Sequence, residues 1–280
     1  MHGGNDGLGR MQRTETAFAK INLALHVRAR RKDGYHDIET LFAFVDRGDV
    51  LTATSALEDR VVTVGEFAGE IGDPFSNLVA RALNALPRPD GMAITLEKNL
   101  PVAAGLGGGS ADAGAVFRMV RDAYGLPDDW RGWAVKLGAD VPACVESEMC
   151  IGRGTGAALE PVENDLAGSP VLLVNPRLPL STPEVYGRWD GNDRGPLPEG
   201  PASTIMREGR NDLERPAMQE CPVVGDILFA LDDTGPILAR MSGSGATCFA
   251  LYADEAARDA AAAKLAAAHP DWWQMAGKLR

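Results

Sequence analysis

The sequence predicts a chain of mixed strands and helices laid out in two blocks, and three stretches carry that expectation. From Phe18 the residue types alternate, with Ile21, Leu23, Leu25 and Val27 on one face and Lys20, Asn22, Ala24, His26 and Arg28 on the other. That two-residue period is the mark of a half-buried strand. Further on, an apolar run at 92–96 leads into four glycines (Gly105, Gly107, Gly108, Gly109), after which Ala113, Val116, Phe117, Val120, Ala123 and Tyr124 recur at helical spacing. The pattern is strand, glycine loop, helix. After a glycine-rich break at 152–156, Val171-Leu172-Leu173-Val174-Asn175 opens the second block as a buried strand.

Taken in order, Arg30-Arg31-Lys32-Asp33-Gly34 is a charged turn with a hairpin signal, and a second strand starts at 35–42. Further short strands are expected at 49–54 and 61–64, and a helix at 77–86 with Ser76 as its cap and Pro87 as its end. Ser110 is expected to cap the helix after the glycine loop, with Gly125 closing it. Another helix covers 130–137. In Gly138-Ala139-Asp140-Val141-Pro142 the proline biases Val141 to an extended form and ends any helix there. Dense proline and glycine from 176 to 201 reads as a long surface connection. Helical stretches follow from 211 and at 226–231, then strands at 237–241 and 247–252 joined by Ser242-Gly243-Ser244-Gly245-Ala246. An alanine-rich helix at 255–268 and a strand at 272–277 complete the chain.

With 280 residues, 45% of them hydrophobic, the chain can bury one large core or two smaller ones. A net charge of −11 argues against a nucleic-acid partner, which needs a basic face, but leaves an anionic small molecule open. The four cysteines (Cys144, Cys150, Cys221, Cys248) form no Cys-x-x-Cys pair and read as reduced residues of a cytoplasmic protein. No apolar run of about 18 residues suggests a membrane span. Residues 1–13 are polar and glycine-rich without an apolar stretch, so a disordered tail is expected rather than a secretory signal.

The glycine loop points bare N–H groups and a positive helix end at one spot, which suits a phosphate; the alternative is a tight turn needing φ > 0. It is not a Walker loop, because no Lys-Ser or Lys-Thr follows the last glycine, and a dinucleotide fingerprint would need glycine where Ser110 stands. Tyr35 and His36 are either ligand contacts or structural. Asp140, held among apolar neighbours, is either a cap or a functional carboxylate. Lys20 taken alone reads as an ordinary solvated residue.

Together these stretches resemble the GHMP kinases, small-molecule kinases that hold ATP on a glycine loop. Ala19-Lys20-Ile21-Asn22-Leu23, Asp33-Gly34-Tyr35-His36, Leu41-Phe42, Leu100-Pro101, Gly105-Leu106-Gly107-Gly108-Gly109-Ser110, Leu137-Gly138-Ala139-Asp140-Val141-Pro142 and Ser242-Gly243-Ser244-Gly245-Ala246-Thr247 stand in the family's order. Within the superfamily they are similar to the 4-diphosphocytidyl-2-C-methyl-D-erythritol kinases, over about residues 16–255. The resemblance implies an α+β, two-domain GHMP kinase fold. A ribosomal protein S5 domain 2-like unit spans 14–160 and a ferredoxin-like unit 161–280, with the site between them. It implies transfer of phosphate from ATP to the 2-hydroxyl of the methylerythritol unit, in non-mevalonate isoprenoid synthesis. The partners implied are small molecules, with no nucleic acid and no membrane, in the cytoplasm.

By the same resemblance Asp140 matches the catalytic aspartate and Lys20 the catalytic lysine. The ATP-binding segment is Pro101, Val102, Ala103, Ala104, Gly105, Leu106, Gly107, Gly108, Gly109, Ser110 and Ala111. Asn22, Tyr35 and His36 match positions at the cytidine-diphosphate substrate, Tyr35 being available to stack on the cytosine. Thr182 and Tyr186 resemble positions closing over that site, with Phe42 a further candidate. Ser242, Gly243, Ser244 and Gly245 belong near the phosphates. Mg²⁺ is expected with ATP, Ser110 being its candidate ligand. The chain departs from the family in having Ala111 where many members carry a second serine, and Ala103-Ala104 at the start of the loop. The alternatives are another GHMP kinase, acting on homoserine, mevalonate or a sugar, and a non-catalytic module. The segments around Tyr35 and Asp140 argue for the cytidylated substrate, and Lys20, Asp140 and the loop argue for catalysis.

Overall fold

The computed structural model describes residues 12–71 and 77–280. The expected tail lies outside the described residues up to position 11, as does Ser76; Arg13 already belongs to the first strand. Strands β1 (Arg13–Arg30) and β2 (His36–Ala56) form a long antiparallel hairpin. Its turn is closed by the Arg31 N–H donating to Tyr35 O at 2.8 Å, with Gly34 at φ +88°. The expected separate strand at 49–54 is part of β2. No turn interrupts β2, because Gly48 lies across from Phe18 at a register shift, and a Cβ there would sit 1.9 Å from Ala17 O. The glycine absorbs a bulge in place of ending the strand.

β3 (Arg60–Val64), α1 (Leu78–Ala85) and β4 (Gly91–Glu97) follow, with the Asn77 side chain capping α1. Then come α2 (Gly108–Tyr124), α3 (Trp130–Leu137), α4 (Val141–Glu146), β5 (Cys150–Gly154) and β6 (Ala158–Pro161). β1 lines one edge of β2, so β5 and β4 must share the other edge, along its first and last parts. β3 pairs in parallel with β4, and β6 pairs antiparallel with β5. Contrary to expectation, Pro142 does not end a helix but lies in the first turn of α4, where its missing N–H costs nothing.

The second unit contains β7 (Pro170–Asn175), α5 (Thr182–Gly187), α6 (Ala202–Glu208), α7 (Glu214–Glu220) and α8 (Val223–Asp232), then β8 (Leu238–Met241), β9 (Cys248–Leu251), α9 (Glu255–Ala268) and β10 (Trp273–Lys278). Its sheet runs β10-β7-β9-β8, every neighbouring pair antiparallel. With α8 and α9 as the crossovers this is the β-α-β-β-α-β ferredoxin-like arrangement. The stretch 176–201 is not simply a surface connection: it contains α5 and buries Leu180, Trp189 and Leu197. Sequence reading passed over β5, β6 and α6, taking 152–156 as a break between blocks.

β2 shows how the layers stack. Phe42 and Phe44 pack with Val116, Phe117 and Val120 under the helices, while Leu41, Ala43 and Val45 join Val171, Leu173 and Phe249 of the second sheet. The first sheet is therefore covered on both sides. For the same reason β1 is not half-solvated: Lys20, Asn22, Ala24 and His26 are all buried. The two units are also joined through the backbone, Leu25 N donating to Arg210 O (2.8 Å) and Asp212 N to Leu25 O (2.9 Å). The buried Arg240 guanidinium adds bonds to Leu23 O, Met206 O and Gly209 O at 2.5–2.9 Å.

Candidate active site

The glycine loop lies at the junction of the two units. Gly107, at φ +61°, occupies the cap position of α2, so Ser110 is not the cap but the helix's third residue. The first intrahelical bond runs from Ala111 N to Gly107 O, which leaves the N–H groups of Gly108, Gly109 and Ser110 without acceptors among the described residues. Gly105, at φ +77°, meets the other unit: a Cβ there would lie 2.4 Å from Ser242 O and 3.0 Å from Gly245 O. At Gly107 a Cβ would lie 2.9 Å from Lys20 Cε. The loop's glycines thus allow both left-handed turns and close approach.

Lys20 is 4% exposed, and its ammonium is surrounded by specific partners. It lies 3.0 Å from Asp140 Oδ2, donates to Asn22 Oδ1 at 3.0 Å, and sits 5.1 Å above the Phe42 ring. The Lys20 N–H also bonds Leu106 O at 2.9 Å, fixing the strand to the loop. Asp140 stands before α4 but makes no side-chain cap bond; its carboxylate faces Lys20 and the cleft. Between the two sequence readings of Asp140, capping is not what the geometry shows.

Asn22 is held at both ends of its amide. Its Nδ2 donates to Thr40 Oγ1 (2.7 Å), which in turn donates to Ala24 O (2.7 Å). This fixes the amide with its oxygen toward Lys20. Phe42, 1% exposed, forms the floor beneath Lys20. The second glycine loop closes the far side. Ser242 Oγ donates to Gly105 O (2.8 Å) and accepts from Asn22 N (3.2 Å), and Thr247 N bonds Ala104 O (3.2 Å). Ser244 and Thr182 share a hydroxyl–hydroxyl bond of 2.8 Å.

These groups line a cleft of about 430 Å³, within the range of small-molecule sites. A second cavity of about 690 Å³ adjoins it, sharing Ile38, Ala139, Thr155, Thr182 and Tyr186. Tyr35, His36 and Arg30 line only this outer part. His36 packs on Tyr186 (ring centroids 4.8 Å) and edge-on against Trp189 (5.8 Å). Burial and then the Arg30 charge hold its imidazole below the usual histidine range, and its Nε2 is buried without a partner among the described residues. Tyr35 is 66% exposed at the rim. Burial pushes the Tyr186 phenol above its ordinary value.

His26, in line with Lys20 and Asn22 on β1, lies apart from the cleft. Its Nε2 accepts from Arg210 N (3.2 Å), so its proton is on Nδ1, which donates to Gly195 O (3.1 Å). Sequence reasoning missed Asn211, whose amide donates to Met241 O and Gly243 O at 2.8 Å each and fixes the second glycine loop. It also missed Thr155, between the two cavities, and Asp49, Lys98 and Asp112, buried beneath the first turn of α2. An Asn-Asp pair before a helix and single charges in strands carried no signal that separates them from caps and solvated residues.

Residues 77–148 match the family model described as GHMP kinases N terminal domain, and residues 199–271 the one described as GHMP kinases C terminal. A 4-diphosphocytidyl-2-C-methyl-D-erythritol kinase of Erythrobacter litoralis is 63% identical, the alignment covering 95% of this chain and 99% of the relative. The chain belongs to this kinase family. The Novosphingobium aromaticivorans kinase of the same name is 62% identical over 96% of this chain and 94% of its own length. A crystal structure of 4-(cytidine 5'-diphospho)-2C-methyl-D-erythritol kinase superposes with a TM-score of 0.80 at 33% identity, covering 96% of this chain and 99% of that one. Homoserine kinase from Cytophaga hutchinsonii, at 16% identity and a TM-score of 0.64 over 94% of this chain and 95% of its own, shares the fold. Among the described residues, no helix of this family member is long and apolar enough to cross a membrane.

Proposed function

We propose that the chain is an ATP-dependent kinase that phosphorylates the 2-hydroxyl of 4-diphosphocytidyl-2-C-methyl-D-erythritol, giving the 2-phosphate and ADP in isoprenoid precursor synthesis. The observation that carries the reading is the Lys20–Asp140 pair, 3.0 Å apart, facing a helix N-terminus whose first N–H groups lack acceptors among the described residues. In this reading the loop from Pro101 to Ala111 holds the triphosphate, with Gly108, Gly109 and Ser110 N–H groups on its oxygens. As the acceptor oxygen forms its bond to the γ-phosphorus, the bond to the bridging oxygen of ADP breaks. The hydroxyl proton passes to the Asp140 carboxylate. The Lys20 ammonium, 3.0 Å from that carboxylate, offsets the charge that develops between the phosphates and the acceptor. Asn22 acts by orienting Lys20.

The outer cavity suits the cytidine end. Tyr35 at its rim supplies an exposed ring, His36 an imidazole whose Nε2 has no partner among the described residues, and Tyr186 and Thr182 close it from the second unit. Ser242, Gly243, Ser244 and Gly245 stand opposite the phosphate loop. Among the described residues no group of three His, Cys, Asp or Glu side chains gathers to hold a metal. The Ser110 hydroxyl lines the cleft and would be the chain's own oxygen for a Mg²⁺ carried in on the nucleotide, which would supply charge neutralisation there. A cytoplasmic location agrees with four unpaired cysteines, three of them buried.

An acceptor panel tests the proposal. ADP release is measured with the cytidylated methylerythritol, homoserine, mevalonate and galactose at equal concentration. The cytidylated substrate is expected to give the highest kcat/KM by orders of magnitude; faster transfer to any other acceptor overturns the assignment.

A further inference from the structure

Beneath the first turn of α2 lie three charged side chains that the proposed chemistry does not use. Lys98 (at the end of β4), Asp49 (β2) and Asp112 (α2) are 3%, 0% and 3% exposed. The Lys98 ammonium donates to Asp49 Oδ2 and, at 2.9 Å, to Asp112 Oδ2. The other oxygen of Asp49 accepts the N–H groups of Asn99 (2.6 Å) and Leu100 (2.8 Å), the two residues that lead into the loop. Asp112 lies in the helix into which the loop runs. A Cβ on Gly108 would come 3.0 Å from the Lys98 nitrogen, so the ammonium lies directly against the backbone at the phosphate end of the helix.

We infer that Lys98, Asp49 and Asp112 are positioning residues for the nucleotide: a buried charged staple that fixes both ends of the glycine loop and so sets where the phosphates sit. The inference rests on the reading of that loop as the ATP site. Stability alone is a poor reason to keep such a cluster, since replacing buried ion groups by apolar residues of the same volume is often neutral or favourable. The cluster even leaves Asp112 Oδ1 buried without a partner among the described residues. Apart from the staple, the loop's polar ties come from Lys20 of the catalytic pair and from the second unit, through Ser242 and Thr247. Within its own unit the loop is held by this staple and by the Lys20 N–H bond to Leu106 O. Burial raises the Asp112 carboxyl above its usual range, with the Lys98 charge opposing. An asparagine at 112 accepts the same bond whichever protonation state Asp112 holds.

The test compares Asp112→Ala, Asp112→Asn and Lys98→Met with wild type. It uses calorimetric titration with MgATP, steady-state KM for ATP and for the acceptor, and thermal unfolding. In Asp112→Ala, which keeps helix propensity, ATP affinity is expected to fall about 10-fold or more, the scale of one lost charge-assisted bond. The acceptor KM is expected to stay within about twofold, and Asp112→Asn to recover most of the ATP affinity. Lys98→Met, if it folds, is expected to lose more. A folded Asp112→Ala whose ATP affinity is within twofold of wild type, or whose two KM values rise alike, overturns the inference. Wild type that fails to bind MgATP overturns the underlying reading of the loop instead.

Discussion

Gly105→Ala is expected to part the two glycine loops. At φ +77° an alanine bears about 1–2 kcal/mol of backbone strain. Its Cβ would also lie 2.4 Å from Ser242 O and 3.0–3.2 Å from the backbone of Gly245, and none of these atoms is the end of a flexible side chain. Overpacking of this kind costs about 1–3 kcal/mol, so the sum is about 2–5 kcal/mol. In a protein of this size each kcal/mol lowers Tm by about 2 °C or slightly more, which gives a fall of about 4–10 °C. The Ser242 hydroxyl bond to Gly105 O would stretch or break as the loops separate, so KM for ATP should rise as well. Calorimetric unfolding and initial rates over an ATP series measure both. A Gly105→Ala variant with unchanged Tm and unchanged KM for ATP would refute the backbone contact between the two units.

Three further outcomes are expected. Lys20→Met should lower kcat by at least about 10²-fold, because it removes the cation 3.0 Å from Asp140, with thermal stability measured in parallel to exclude unfolding. Tyr186→Leu should raise KM for the acceptor roughly 3–10-fold, the worth of one aromatic contact, with KM for ATP unchanged. His26 gives a pH dependence of stability. Burial, then the Arg210 charge, hold its folded pKa below the ordinary value of about 6.5. The unfolded chain therefore binds the proton first, and stability that is full above about pH 7.5 falls as pH drops below about 6.5. Urea unfolding at pH 7.5 and 5.5 should show a larger loss in wild type than in His26→Gln; equal losses would remove His26 from the account.

The strands and helices were legible wherever a period ran uninterrupted: β1, β4, α2, α9 and the β8–β9 hairpin all fall within a few residues of their sequence positions. What was not legible depended on partners far along the chain. Lys20, Asn22 and His26 look like one solvated face until the second unit covers it. The gap left between the strands expected at 35–42 and 49–54 closes because Gly48, opposite Phe18, takes up a bulge. Pro142 and Ser110 were misread because the helices begin one to three residues from where local rules put them. The Lys20–Asp140 pair is separated by 120 positions, so local pattern could raise each residue as a candidate but only the family's ordered motifs joined them. The Asp49–Lys98–Asp112 cluster had no such motif and no period, and only burial brings it into view.

Single-turnover transfer from ATP to 4-diphosphocytidyl-2-C-methyl-D-erythritol, with wild type beside Asp140→Asn, tests the base assignment most directly. The amide keeps the shape of the carboxylate and a hydrogen-bond acceptor for Lys20, so ATP and acceptor binding should be nearly unchanged. The transfer rate should fall by at least about 10²-fold. A wild-type rate in Asp140→Asn would contradict proton acceptance by Asp140 and, with it, the proposed mechanism.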